Sequence, residues 1–506
     1  MPTLSLSSSR RTFLRTAGLV AAGAAVLPRP TARAAAPAFA TSSDPSTEII
    51  WMSATKLAQL IREKKVSAVE AVDAYIARIE AVNPKLNAVC MPCFERARQE
   101  AKSADAALAA GKLLGPLHGV PMTIKDSIDT AGVVSTGGTM GRINFVPEKD
   151  ATVVARARAA GAILLGKTNT PEFTLSGFPG LTTTWNLIYG TSRNPYNPLH
   201  STAGSSGGAG AIVAAGGAAF DIGSDFGGSI RGPAHANGVA GIKPTSGLVP
   251  RTGHIVDYGG IFDAYQQLGP LARKVEDLVL ITGLIAGPDG KDAAILPAPL
   301  LDPSAVELGK LRVAFYVSNG VSDPTLETKA MVKKAADALG SLGASVNEDI
   351  HPHYAEAVEL RTKIRNADGN AWLKRVADRC GSKVVAPSLK FTAPEATTPE
   401  LVAMLEQQDR YRRAMTSWLR NYDVILCPTS AQPAPRIDAG PGGANLSYTQ
   451  IYNITGWPGV VFRGGSSPDG LPLGLQVVAR PFREDVAFAV ARHLEGILGG
   501  WQKPAI

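Results

Sequence analysis

Residues 203–232, AGSSGGAGAIVAAGGAAFDIGSDFGGSIRG, constrain this chain more than any other stretch. Two serine–glycine clusters, Gly204-Ser205-Ser206-Gly207-Gly208 and Gly227-Gly228-Ser229-Ile230-Arg231, flank an Ala/Gly/Ile/Val segment almost free of polar side chains. Glycine at this density costs backbone entropy, so a folded chain keeps it where backbone turns tightly or something approaches closely. A serine among such glycines lies beside backbone N–H groups of the kind that hold an oxyanion. The same pattern also fits two tight turns around a buried small-residue helix, because Gly/Ser clusters are common in loops. The stretch therefore needs support from the rest of the chain.

The chain has 506 residues, enough for a large core and one to three domains. It contains no apolar run of transmembrane length. Ala17–Leu27 is apolar but too short to span, and it follows Ser9-Arg10-Arg11-Thr12-Phe13-Leu14-Arg15, a twin-arginine export motif. Ala32-Arg33-Ala34 and Ala38-Phe39-Ala40 both fit an A-x-A cleavage site. Residues 1–40 are thus expected to be a signal peptide with its linker, and the protein to be periplasmic or extracellular. The formal charge of +8 includes five arginines and no acid in those 40 residues, so the remainder carries +3. With no basic run in the remainder, nucleic acid is not an expected partner. Cys90-Met-Pro-Cys93 has C-x-x-C spacing, but no second pair or nearby histidines complete a zinc site. Structural thiols are the favoured reading of the cysteines, a Cys90–Cys93 disulfide the lesser one. Neither a metal nor a cofactor is expected.

From residue 41 onward the texture is that of a single α/β domain. Residues 41–52 read as a linker and 51–110 as helices. Ser67-Ala-Val-Glu70 is a capping box, Val69, Val72, Ile76, Ile79 and Val82 recur at helical spacing, and Asn83-Pro84 is expected to end that helix. Over 117–285 short apolar strands alternate with helices, as in a sheet covered on both faces. Val120–Ile124 reads as a buried strand ending at Lys125, and 150–160 as a helix capped by Asp150. Ala209–Ala219, apolar all round, reads as a buried helix. Residues 311–500 supply further strands at Leu311–Val317, Asp423–Pro428 and Leu473–Val478, with helices between.

Lys125 at a strand end would ordinarily be a snorkelling surface residue. Together with Ser205 and Ser229, however, it resembles the Ser-cisSer-Lys triad of the amidase signature family. The matching strings are PMTIKDSID (121–129), AGSSGGAGA (203–211) and GSDFGGSIRGPAHANGVAGIKPTSGLVP (223–250), and the 24-residue step from Ser205 to Ser229 fits as well. Resemblance runs from about residue 50 to the C-terminus. Ala203 departs from it, where the family commonly has glycine, and so does Cys427.

The resemblance implies a single α/β/α domain around a large mixed sheet and hydrolysis of linear amide C–N bonds. Ser229 would be the nucleophile and Ser205 the bridging serine, held by a cis peptide bond from Gly204. Lys125 would be the general base, able to act only if burial lowers its pKa. The backbone N–H groups of Phe226, Gly227, Gly228 and Ser229 would form the oxyanion hole. Ser206 and Ser224 would support the triad by hydrogen bonds, and Asp225 and Arg231 would brace the loop as an ion pair. Expected partners are a small-molecule amide and water, with anilides, carbamates and esters as further candidates. No stable membrane anchor is expected, and a homodimer is the commonest assembly for such chains. Phe173–Trp185, Ile255–Phe262, His351–Leu373 and Tyr452–Trp457 are the expected pocket walls, being rich in aromatic residues.

Three other readings compete. Gly204–Gly208 also satisfies G-x-S-x-G, the nucleophile elbow of α/β-hydrolases, with Ser206 as nucleophile; that motif needs a strand before it, and SRNPYNPLHST (192–202) is turn-rich. His235, His254, His351, His353 and His493 stand in no recognisable catalytic context. A non-catalytic binding protein on the same scaffold would not need all three triad residues. The glutamine-hydrolysing subunit of a tRNA amidotransferase shares the signature, but export argues against it.

Overall fold

The apolar runs read as strands assemble edge to edge. In chain order the strands are β1 (Val89–Pro92), β2 (Pro121–Lys125), β3 (Ile163–Thr168), β4 (Trp185–Asn186), β5 (Gly190–Thr191), β6 (Phe220–Asp225), β7 (Ala240–Lys243), β8 (Gln267–Ala272), β9 (Arg312–Phe315), β10 (Ser345–Glu348), β11 (Val424–Pro428), β12 (Gly459–Ser466) and β13 (Pro472–Ala479). The computed structural model describes residues 48–175, 183–256, 260–351, 353–439 and 446–506. Among these, eleven strands form one mixed sheet in the order β1-β3-β2-β6-β8-β7-β12-β13-β11-β9-β10, and β4 and β5 pair separately. The twin-arginine motif, both cleavage motifs and residues 41–47 of the linker lie outside the described residues, as do 176–182 and 257–259 of the expected pocket walls.

Every residue of β2, β3, β6, β7, β8 and β11 is buried, as in strands covered on both faces, and β6 takes Asp221, Ser224 and Asp225 inside with it. Side-chain alternation still decides which core each residue joins. Val313, Val424, Leu426, Val477 and Ala479 belong to the larger core, with the helices Ala68–Leu86, Val275–Ile285 and Glu484–Leu498. Their neighbours Ala314, Ile425, Cys427 and Val478 join a second, aromatic cluster. Helices thus cover both faces of the sheet, the α/β/α arrangement that the resemblance implies.

β2 and β6 are parallel neighbours, with Ile124 opposite Ile222. Lys125 ends β2, and Ser229 follows β6 into the helix Arg231–Asn237. Ligands of open α/β sheets characteristically sit beyond the carboxyl ends of such strands.

Some local expectations fail for identifiable reasons. The helix capped by Ser67 runs through Pro84 to Leu86, because Asn87, in the left-handed region, closes it instead. The Asn83 carboxamide supports that turn by accepting from the Ala88 and Val89 N–H groups, each at 2.8 Å. Asp150 does not cap the helix Thr152–Ala159; its carboxylate accepts from the Ala131 N–H and pairs with Arg158. The four cysteines are free thiols; Cys90 and Cys93 donate to the carbonyls of Lys167 and Leu164.

The helix Gly207–Ala214 is buried along its whole length, and only small residues fit. A Cβ at Gly208 would lie 2.5 Å from the Asn169 amide nitrogen and 2.7 Å from the Ala88 carbonyl oxygen, both backbone atoms. Gly208→Ala should therefore destabilise the fold by about 1–3 kcal/mol, the usual range for overpacking. The urea midpoint of the purified variant checks this.

Candidate active site

Lys125 enters the core because the strand that carries it is apolar on both faces, and its amine is fully buried. Three hydroxyls surround Nζ: Ser205 Oγ at 2.6 Å, Ser224 Oγ at 2.8 Å and Ser206 Oγ at 3.0 Å. Burial lowers the Lys125 pKa to about 7, against the opposing charges of Asp221 and Asp225. At neutral pH the amine is thus poised between its charged and neutral forms.

Ser205 and Ser206 lead into the helix Gly207–Ala214, and the Gly204–Ser205 peptide bond is cis. Ala203, before it, has φ 56°, in the left-handed region that glycine adopts most readily. That conformation gives a physical reason for the glycine common at this position. The Ser206 N–H donates to the Ser229 carbonyl at 3.1 Å, tying the two serine-bearing loops together. Lys125, Ser205, Ser206 and Ser224 are buried, whereas Ser229 keeps partial exposure. Among the described residues no hydrogen bond joins the Ser205 and Ser229 hydroxyls; in unliganded sites such contacts commonly close only around a substrate.

Asp225 and Arg231 form a wholly buried ion pair with two contacts, Nη2 to Oδ1 at 2.9 Å and Nε to Oδ2 at 3.0 Å. Burial pushes the Asp225 carboxyl up, but Arg231 and hydrogen bonds from Asn453 and the Ile230 N–H outweigh it and hold the group well below the usual carboxylate range. The same carboxylate accepts from the Gly228 N–H at 2.8 Å. This narrows the expected set of four oxyanion donors: the Gly228 N–H is committed to Asp225. The Gly227 and Ser229 N–H groups make no hydrogen bond among the described residues.

Several residues around this loop carry no local sequence signal. Arg361 donates to the Phe226 carbonyl at 2.6 Å, and Thr449 donates to that of Gly227 at 2.6 Å. Asn453 and Gln476 complete the cage around Arg231. His254 Nε2 lies 3.2 Å from Ser224 Oγ and 3.1 Å from Ser127 Oγ. Each comes from a segment distant in sequence, so only the fold reveals the contact.

The aromatic cluster gathers side chains from all four segments expected to wall the pocket, including Phe173, Ile255, Phe262, Trp372, Tyr452 and Trp457, together with Phe226 itself. Phe226 meets Phe262 at 6.1 Å and Tyr265 at 5.8 Å between ring centroids, and Phe262 meets Trp372 at 5.1 Å.

The elbow reading of Ser206 loses its structural requirement. Residues 192–206 hold isolated bridges but no strand, and Ser206 is fully buried against Lys125. Among the described residues no cluster of three or more His, Cys, Asp or Glu could hold a metal, and no helix is long and apolar enough to cross a membrane.

A family model described as Amidase matches residues 70–487. The chain belongs to the amidase signature family. It is accordingly an enzyme, a hydrolase of amide C–N bonds. The chain is 33% identical to an indoleacetamide hydrolase of Bradyrhizobium diazoefficiens, over 89% of this chain and 87% of that one. It is 34% identical to a glutamyl-tRNA(Gln) amidotransferase subunit of Moorella thermoacetica, over 88% of this chain and 97% of that one. A solved structure of 6-aminohexanoate cyclic dimer hydrolase in complex with substrate superposes with a TM-score of 0.78 at 30% identity, covering 90% of this chain and 99% of that one. The cyclic dimer hydrolase thus shares the fold of this chain.

The buried ion pair gives a test of how this amidase holds its loop. Arg231→Met leaves Asp225 buried without its counter-charge and should cost about 3–5 kcal/mol, as breaking one side of a buried pair does. Equilibrium unfolding in urea, compared with Asp225→Asn/Arg231→Met, checks this; the double variant should recover part of the loss.

Proposed function

We propose that the protein is an exported amidase that hydrolyses small linear amides by way of a Ser229 acyl-enzyme, with Lys125 as base acting through Ser205. The observation that carries this reading is the 2.6 Å contact between the buried Lys125 amine and Ser205 Oγ. A serine hydroxyl is a poor nucleophile without a base, and a lysine serves as one only when neutral.

In the proposed cycle the neutral amine takes the Ser205 proton as Ser205 takes that of Ser229. Ser229 Oγ attacks the amide carbon, and the oxyanion rests on the Gly227 and Ser229 N–H groups. The proton returns through Ser205 to the leaving nitrogen, and the C–N bond breaks. Water then attacks the acyl-enzyme by the same route, releasing the acid and restoring Ser229. The aromatic cluster around Phe226 supports an aryl or otherwise apolar group on the substrate. The relative named for indoleacetamide is consistent with that, and anilides, carbamates and esters belong in the same screen. Export rests on the twin-arginine motif and the two cleavage motifs that follow it.

Ser229→Ala should abolish turnover while leaving the unfolding midpoint near that of the parent, and Lys125→Ala should lose nearly as much, since groups acting as a unit are non-additive. Peptide mapping after labelling with an organophosphorus probe should place the adduct on Ser229; an adduct on Ser206 or an active Ser229→Ala variant would overturn the assignment. Because the Lys125 pKa is lowered to about 7, kcat/KM should rise as pH increases through about 7 and fall on the acid side, where the amine is charged. Glutamine belongs in the substrate panel, because its preferential hydrolysis would move the protein toward the amidotransferase subunits. For localisation, Arg10→Lys with Arg11→Lys should leave the unprocessed chain inside the producing cell, read by fractionation and by the mass of the N-terminal peptide.

A further inference from the structure

Each N–H group that the proposed mechanism aims at the oxyanion shares a peptide unit with the carbonyl of the residue before it. The Gly227 N–H is paired in this way with the Phe226 carbonyl, and the Ser229 N–H with that of Gly228. Both carbonyls accept a hydrogen bond of 2.6 Å, but from different donors. The Gly228 carbonyl takes the backbone N–H of Gly232, a neutral group in the first turn of the helix Arg231–Asn237. The Phe226 carbonyl takes Nη2 of Arg361. A guanidinium has only donors and a carbonyl only accepts, so the direction of this bond is fixed whatever else Arg361 touches.

Charge at one end of a peptide unit is felt at the other. A cation on the carbonyl oxygen draws electron density along the amide and makes its N–H a stronger donor, as hydrogen bonds in a chain polarise one another where the dielectric is low. Arg361 and Phe226 are both buried, and their bond is charge-assisted. The guanidinium is also held in place. Nη1 donates to Gln450 Oε1 at 3.3 Å, and the group lies 4.8 Å from the centroid of the Phe226 ring and 5.5 Å from that of Tyr265. A Cβ at Gly227 would lie 3.0 Å from Nη2, so glycine is what lets Arg361 come this close to the loop. Thr449 makes the corresponding bond one unit further on, to the Gly227 carbonyl, but the N–H of that unit is Gly228, already given to Asp225.

We propose that Arg361 is a positioning residue for the amide hydrolysis: through the Phe226–Gly227 peptide unit it orients and strengthens the Gly227 N–H toward the oxyanion, making that group the stronger of the two donors. This rests on the triad reading above. The base is a separate matter, because the charges acting on Lys125 are those of Asp221 and Asp225.

The test uses the full chain, the best amide from the screen and the organophosphorus probe, whose phosphoryl oxygen gains charge where the amide oxygen does. Losing an oxyanion donor outright typically costs about 100- to 1000-fold, so Arg361→Met, which weakens one, should lower kcat about 10- to 100-fold. KM and the acid limb of the pH–rate profile should stay near their parent values. The rate of labelling by the probe should fall with kcat, while labelling of Ser229 still runs to completion, as it would not if part of the protein were misfolded. Arg361→Lys, which keeps a charge for the carbonyl, should recover part of both rates. An unchanged kcat, a loss confined to KM, a displaced acid limb, or a labelling rate that holds while kcat falls would overturn the proposal. If Arg361→Met does not fold, Arg361→Lys against the neutral Arg361→Gln carries the same comparison, and Arg361→Lys must be the faster. Lys125→Ala and Ser229→Ala serve as controls: wild-type turnover in either would sink the triad reading and this role with it, whereas their loss beside an unaffected Arg361→Met sinks this role alone.

Discussion

A lysine amine buried at the end of a sheet strand sets terms that the surrounding residues must meet. Charged, it is costly in an apolar core; neutral, it is a base of useful strength. The site balances the two by giving Lys125 three hydroxyls and no directly bonded carboxylate among the described residues. Asp221 is close enough to act on it electrostatically, but that carboxylate is itself hydrogen-bonded to Thr123 and Thr168, and burial raises its pKa to about 7. Full ion pairing would hold the lysine charged and inert. Hydroxyl neighbours can donate or accept, so the cluster tolerates both protonation states without moving heavy atoms.

The second demand is a loop whose N–H groups stay aimed at one point. Backbone amides hold an oxyanion well only when they are already oriented, because reorienting them during the reaction would consume much of the gain. Here the loop after β6 is anchored at successive peptide units. Arg361 and Thr449 hold the carbonyls of Phe226 and Gly227, and Asp225 holds the N–H groups of Gly228 and Ile230. Glycine is required where the anchors crowd in: Gly228 has φ 136°, and a Cβ there would lie 2.4 Å from Thr449 Oγ1. The Asp225–Arg231 pair is thus part of a cage that extends to Asn453, Gln476 and Thr449, and its burial makes sense as orientation rather than as net stability.

Much of this was legible in the sequence, for local reasons. The two serine–glycine clusters and the apolar strand ending at Lys125 are short-range patterns, and the capping box at Ser67 marked its helix start to the residue. What stayed hidden acts through space. Pro84 reads as a helix end because a proline forfeits the hydrogen bond to the carbonyl four residues back, yet the helix runs through it to Leu86 and Asn87 supplies the stop. Asp150 had the right spacing for a cap but found Arg158 and the Ala131 N–H instead. His254 and Arg361 belong to segments with no motif of their own. Their contacts with Ser224 and with the Phe226 carbonyl form only once distant segments have come together in the fold.

In the proposed mechanism Phe226 is where the chemistry and the recognition surface meet. Its backbone opens the loop that leads to Ser229, while its ring belongs to the aromatic cluster with Phe262, Tyr265 and Trp372. Arg361 touches both halves, donating to the Phe226 carbonyl while its guanidinium lies 4.8 Å from the centroid of the Phe226 ring. A substrate group that shifts this cluster therefore acts on the peptide unit that carries the Gly227 N–H. Closely packed side chains transmit such shifts because they have little free volume to absorb them. On the proposed mechanism, variation among the aromatic walls alters both which amides bind and how well the loop meets the oxyanion, while Lys125 and its hydroxyls, at the ends of β2 and β6, are held apart from that variation.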